Sequence, residues 1–502
     1  MSESENTPFW SNRLKGDVGL LNVKFCAGRD METVPMADGE LVPFDIWNTA
    51  AHVVMLAKQR IISTDERNKI LEVLNDIKNQ YEAGEFKMNP ALEDVHMNIE
   101  HVLLEKLGNE IGGKVHTGRS RNDQAACTMR LYLRDNLLKW EEDLIKLMES
   151  LLKLAEDHRD TIMPGYSHRQ IATISSFAHL LLNYYQSFDR DLKRSSLCYD
   201  FLDACPLGAA AGFGTTWPID RQAVARYMGF KSIDENALDC VSSRSEIEGQ
   251  VAECLTFFLI HSSRIAQDFI YLSASEVKML VLPDHLVTGS SIMPQKRNPD
   301  GLEIIIGKAS IVEGLYNSIL GLATGKRSGY NREYQWGKYL VMDALRETDG
   351  VSRWLTDCIH HLKINRDVMY RTASSGFINA VDVADGLAKI ARISFRDAYK
   401  ITATAVSYSS DEGEITLDAL IRSMEERGVS YKISPGVFVK MIDPRKNLNA
   451  RKAIGGPAPE EVTRQIHQNS QKLLERRIKL HEKQKQIETA WENTWNKLNN
   501  VE

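Results

Sequence analysis

The stretch LRDNLLKWEEDLIKLMESLLKL, Leu133 to Leu154, decides the fold class. Leu133, Leu137, Trp140, Leu144, Leu147, Leu151 and Leu154 follow one another at alternating steps of four and three. A half-buried strand would alternate every second residue. This spacing instead predicts a helix with an apolar seam of nearly 3.5-residue period, which other helices must cover. No glycine or proline interrupts the chain from Arg119 to Met163. Two more unbroken segments run from Tyr166 to Cys205 and from Val251 to Leu282, and Val251, Leu255, Phe258, Ile265, Phe269 and Leu272 form one stripe of the latter. Helices of about thirty residues would each exceed roughly 40 Å. One subunit can hardly cover such rods, so a bundle completed by neighbouring subunits is expected.

Outward from this all-α core the pattern divides the chain into three. Residues 1–115 are a mixed region of loops and short helices, 116–365 hold the long helices, and 366–502 form a smaller C-terminal region punctuated by SSDEGE and GGPAP. The last segment, Glu460 to Asn499, is heavily charged and reads as a solvated helix. The 502 residues are 43% hydrophobic and 26% charged, with a net charge of −6, which argues against a general nucleic-acid or membrane-surface binder. No apolar run is long enough to cross a bilayer, and MSESENTPFW at the start has no apolar signal core. Seven cysteines are scattered without a C-x-x-C pair and read as reduced thiols, so a cytoplasmic protein is expected.

Three polar clusters interrupt the helical pattern. HTGRSRND, His116 to Asp123, supplies Thr117, Ser120 and Asn122 beside Arg119 and Arg121 at the mouth of the seamed helix. Side chains and free amides at a helix N-terminus suit carboxylate binding; the plainer reading is an N-cap with two surface arginines. PGYSHRQ, Pro164 to Gln170, is read as placing Ser167, His168 and Gln170 at the start of the next helix, where a histidine is more often a cap. TGSSIMPQKRNPD, Thr288 to Asp300, lacks the second glycine of a phosphate loop and the G-x-S-x-G of a hydrolase elbow. Alone it is as readily a proline-containing connection. Neither metal-ligand spacing nor a dinucleotide fingerprint is present. Together the clusters offer hydroxyls, cations, amides and one imidazole. Such a set suits removal of a proton beside a carboxylate, where donors must already surround the developing charge.

These clusters resemble the three active-site regions of the fumarase/aspartase superfamily. GSSIMPQKRNP is similar to its signature loop, and HTGRSRNDQ and GYSHRQ resemble the other two regions in the form typical of the argininosuccinate lyase branch. The likeness extends through EDVHMNIE (Glu93 to Glu100), PLGAAA with GTTWPIDR ending at Arg221, YNREYQWGK (Tyr330 to Lys338) and GGPAPEEV, and so covers nearly the whole chain. The resemblance implies an all-helical, three-domain subunit in a homotetramer, with a shared central bundle and active sites built from three subunits. It implies reversible elimination of a succinylated nitrogen with release of fumarate, without metal or organic cofactor. Carried over by position, Ser290 would be the base and His168 the general acid, supported by Glu303. Lys296 and Asn298 would stabilise the doubly charged carboxylate. Thr117, Arg121, Asn122 and Ser167 would hold the succinyl carboxylates, Tyr330, Gln335 and Lys338 the rest of the substrate, with Asp94 and His96 lining the site.

The chain also departs from that pattern. Arg169 and Ile171 to Thr173 differ in the segment after His168, and Trp336 and Gly337 replace an acidic pair. Gly28 stands for an expected serine, and Asn48 and Thr49 for a usual Gly-Ser. The competing expectations are a relative that cleaves another N-succinyl amine, such as an ethylenediamine-disuccinate type of aminopolycarboxylate, and a non-catalytic structural protein of the lens-crystallin kind. His168 and Ser290 are both present, which argues against the latter.

Overall fold

The computed structural model describes residues 36–496. Three helices, α1 (Val42–Lys58), α2 (Thr64–Glu82) and α3 (Val95–Ile111), precede the long α4 (Arg121–Asp157). A hairpin of β1 (Ile162–Ser167) and β2 (Gln170–Ser176) leads into α5 (Phe177–Leu202). After a two-residue strand β3 (Ala204–Cys205) come α6 (Arg221–Tyr227), the short β4 (Ser232–Ile233), α7 (Ala237–Ser242) and the long α8 (Glu246–Ser273). Strand β5 (Leu280–Val281) then precedes α9 (Asp300–Ala323), α10 (Gln335–Thr348) and α11 (Val351–His361), and β6 (Lys363–Ile364) pairs back onto β5. The C-terminal region holds α12 (Arg366–Thr372), α13 (Ala380–Ala391), α14 (Phe395–Tyr408), α15 (Leu417–Glu426), α16 (Pro435–Ile442), α17 (Pro444–Ala450) and the long α18 (Pro459–Asn496).

The seam of α4 does what its period requires. Its 37 residues span about 55 Å at 1.5 Å each. Leu133, Leu137, Leu144, Leu147 and Leu151 are fully buried, Trp140 nearly so, and Leu154 half-buried. The helix packs against α5, α11 and α18, while α8 packs on α5 and α9. The stripe from Val251 to Leu272 is buried as expected. Ser120 caps α4 and forms a reciprocal capping box with Asp123.

Three expectations are corrected. The segment from Tyr166 does not start a helix: it completes β1, and β2 runs to Ser176, whose side chain caps α5. The β-branched run in QIATISS favours a strand over a helix start, and Arg451 clamps it, donating to Thr173 Oγ1 at 2.6 Å and to the Ile174 carbonyl at 3.2 Å. The third long helix stops at Ser273, because Leu280 and Val281 pair with Ile364 and Lys363. Finally, α18 is not merely a solvated helix. Val462, Ile466, Leu473, Leu480 and Ala490 join the large core, and Trp491 meets Trp47 edge to face at 5.2 Å. The smaller C-terminal core is built instead from α13 to α16, around Leu387, Ile401, Leu420 and Phe438.

Among the described residues, no helix is long and apolar enough to cross a membrane. The six described cysteines are buried and unbridged. Cys26 and Gly28 lie outside the described residues.

Candidate active site

A cavity of about 380 Å³ opens where the N-terminus of α4 meets α3 and α10. It gathers seven of the residues expected in the site: Asp94, His96, Arg121, Asn122, Tyr330, Gln335 and Lys338. Local structure explains how each arrives. Asp94 caps α3, its carboxylate accepting from Met97 N at 2.9 Å, which puts His96 on the first turn facing the cavity. Gly118 turns the chain in the left-handed region (φ 69°), so that Ser120 can cap α4 and Arg121 and Asn122 fall on its first turn. Thr117 sits just behind, its carbonyl 2.9 Å from His52 Nε2. Gln335 and Lys338 lie on the first turn of α10.

Buried charge is paired almost throughout. Asp45, wholly buried on α1, lies 2.7 Å from His96 Nδ1 and accepts from Gln124 Nε2 at 3.0 Å and Thr128 Oγ1 at 3.0 Å. Burial opposes a charge on His96, but the Asp45 carboxylate outweighs it and raises the imidazole pKa above its ordinary value. Lys338 is ion-paired with buried Asp38, and burial's upward push on that carboxyl loses to the lysine, which lowers its pKa. Arg121 lies 3.5 Å from both Glu93 and Asp94. Burial, reinforced by Arg119 and Arg121, pushes His116 down to about 4, so it lines the cavity as a neutral imidazole. Arg244 stacks over Tyr330 at 5.3 Å, and its buried Nε has no hydrogen-bond partner.

Asp38, His116, Arg244 and Arg332 line the cavity although the sequence reading did not select them. His116 and Arg332 stand inside motifs that were read, so only their roles were missed. Asp38 and Arg244 carry no local signal. Two departures have structural reasons. Asn48 and Thr49 are buried behind the cavity, where Asn48 donates to the Gln124 carbonyl at 3.0 Å and Thr49 Oγ1 accepts from Arg119 at 3.0 Å. At Gly337 a Cβ would lie 2.8 Å from Ser245 Oγ, so a side chain there requires the serine hydroxyl to turn aside.

The other expected residues do not line this cavity. Ser167, His168 and Gln170 are exposed at the tip of the β1–β2 hairpin, with His168 and Arg169 both left-handed (φ 53° and 61°). That is a two-residue hairpin turn made without glycine. Ser290, Lys296 and Asn298 lie in the Thr288–Asp300 loop, whose neck is closed by hydrogen bonds from Asn298 N to Thr288 O (2.8 Å) and from Thr288 N to Asn298 O (3.2 Å). Ser290 Oγ accepts from the Met293 N–H at 3.1 Å. Gly289 is not left-handed, and a Cβ there would meet no atom within 4 Å, so this conformation does not itself require a glycine. Glu303 is exposed on the first turn of α9.

A family model described as "Lyase" matches residues 39–314, and one described as "Argininosuccinate lyase C-terminal" matches residues 377–449. The argininosuccinate lyase of Alcanivorax borkumensis is 38% identical over 463 residues, which is 92% of this chain and 97% of that protein. The chain belongs to the argininosuccinate lyase family. The family's member from Geotalea daltonii is 40% identical over 461 residues, covering 91% of this chain and 97% of its own. Among solved structures, that of EDDS lyase in complex with formate superposes with a TM-score of 0.83 at 28% identity, covering 91% of this chain and 92% of that one. The protein is therefore an all-α carbon–nitrogen lyase of the fumarase/aspartase superfamily. The reaction of its class eliminates fumarate from an N-succinyl compound.

Proposed function

We propose that this lyase cleaves argininosuccinate into arginine and fumarate, in the cytoplasm, at a site completed by three subunits of a homotetramer. The cavity at the α4 N-terminus supports this reading. It sets Arg121, Arg244 and Lys338 against Asp38 and Asp94, a mixed-charge lining suited to a substrate with carboxylates at one end and an amino-acid group at the other. In the proposed reaction Ser290 takes the β-proton of the succinyl group, the C–N bond breaks, and the leaving nitrogen takes a proton from His168, supported by Glu303. Lys296 and Asn298 stabilise the carboxylate whose charge doubles in between. Thr117, Arg121, Asn122 and Ser167 hold the succinyl carboxylates. Tyr330, Gln335 and Lys338 position the amine-bearing half, and Asp94 and His96 line the cavity.

The exposed positions of Ser290 and His168 in one subunit are consistent with a site closed by neighbours. So are the large apolar side chains left exposed on the long helices: Ile260 and Tyr271 on α8, and Ile304, Ile311 and Leu320 on α9.

Incubation with argininosuccinate while fumarate absorbance is followed tests the substrate. Release of fumarate is expected. A second reading, a lyase for another N-succinyl amine, draws on Trp336 and Gly337 in place of an acidic pair and on the likeness to EDDS lyase. Release from ethylenediamine-disuccinate, with none from argininosuccinate, would replace the first reading by the second.

A further inference from the structure

Beyond the cavity, among the described residues, one further cluster has the chemistry of a ligand site: His285, Asp357 and His361. Their candidate ligand atoms all lie within 4.8 Å of one another. His285 Nε2 is 2.8 Å from Asp357 Oδ2, His361 Nδ1 is 3.0 Å from Asp357 Oδ1, and the two rings meet edge to face at 5.1 Å. We propose that these three side chains bind a divalent transition-metal ion of the zinc type and so clamp the foot of the Thr288–Asp300 loop to the end of α11.

The spacing suits such an ion. Zinc with ligands at about 2.0–2.1 Å in tetrahedral array has ligand-to-ligand edges of roughly 3.3 Å. The nitrogen-to-oxygen separations present are only a few tenths of an ångström shorter, so small side-chain rotations make room. Two imidazoles and one carboxylate are a donor set for zinc, nickel or copper, whereas magnesium and calcium select oxygen. Metal binding would take His361 Nδ1 from the Asp357 carbonyl, to which it now lies at 3.0 Å.

The backbone holds the ligands in place beforehand. Asp357 and His361 are four apart on the last turns of α11 and share one face. His285 stands in the single turn Asp284–Leu286 just beyond β5. The two segments are tied by the β5–β6 pairing of Leu280 with Ile364 and Val281 with Lys363. The neighbouring cation Arg297 is engaged with Asp284, and the hydrogen bonds and ion pairs of the Asp357 carboxylate are to the two histidines. All three side chains are about half exposed (52%, 42% and 57%), which leaves an approach for the ion and a fourth position for water. Thr288, where the neck of the Ser290 loop closes, is three residues past His285. An ion here therefore restrains the base of that loop without touching the cavity.

The test is calorimetric titration of the full-length protein, freed of metal with chelator, with zinc chloride, beside His285→Gln and His361→Gln. The wild type should show a saturable site, one per subunit, that is absent or at least about tenfold weaker in each variant. Zinc should raise the wild-type melting temperature and leave those of the variants unchanged, and magnesium should do neither. No saturable zinc binding, the same stoichiometry and affinity in all three proteins, or an equal response to magnesium would overturn the proposal. Both side chains are on the surface, so the variants should fold; if one does not, the other carries the comparison.

Discussion

Ser290 has the hardest task assigned to any residue in this account, since a serine hydroxyl removes a carbon-bound proton only if its alkoxide is stabilised. Its Oγ already accepts from the backbone N–H of Met293, an arrangement that would help to hold a negative oxygen. Ser290→Ala should lower kcat by about 10²–10⁴-fold, the usual share of acid–base catalysis, with little change in KM. Steady-state rates within a few-fold of wild type would contradict the assignment. His52 makes a separate prediction about stability. Burial, then Arg119, pushes its pKa down to about 3, against 6.5 for an ordinary imidazole. Below pH 6.5 the unfolded chain takes up a proton that the native state refuses, so stability present above that pH is lost as pH falls toward 3. At pH 4.5 the loss from this one group should be about 2–3 kcal/mol relative to pH 7.5. Denaturant titrations of wild type and His52→Gln at the two pH values should show a flatter pH dependence in the variant; parallel curves would refute the linkage.

At the scale of elements, the sequence was most informative where a period ran long. The seam of α4 and the Val251–Leu272 stripe were both legible, because each repeats one physical rule over several turns. Leu144→Ala, in the middle of that seam, should cost about 2–5 kcal/mol in a denaturation midpoint experiment, and a change below about 1 kcal/mol would contradict a core role for this buried seam. The β1–β2 hairpin escaped notice for an equally physical reason. Its turn is made by His168 and Arg169, which carry none of the glycine or asparagine that announces a left-handed turn. Such a conformation is strained for residues with a Cβ. Arg169→Gly should therefore stabilise the protein by about 1 kcal/mol, and an unchanged or lower unfolding midpoint would show that Arg169 is held there at no cost.

For the whole molecule, motifs revealed the cavity's front and not its back. HTGRSRND stood out as a polar cluster at a helix start, whereas the residues of YNREYQWGK were legible only through the resemblance to the family. Asp38, which pairs with Lys338 across 300 positions of sequence, and Arg244 depend on chain crossings that leave no local trace. The hairpin tip and the Ser290 loop were likewise legible as motifs. A single chain leaves them on its outer surface, and in the proposed assembly neighbouring subunits would bring them to a cavity. That assembly is the central claim, and one mixing experiment addresses it. His168→Asn and Ser290→Ala proteins, each inactive alone, are combined, allowed to exchange subunits, and assayed for fumarate release. If acid and base reach each site from different subunits, a random mixture should contain up to about a quarter of intact sites and recover activity on that order. No recovery after confirmed subunit exchange would contradict a site shared between subunits.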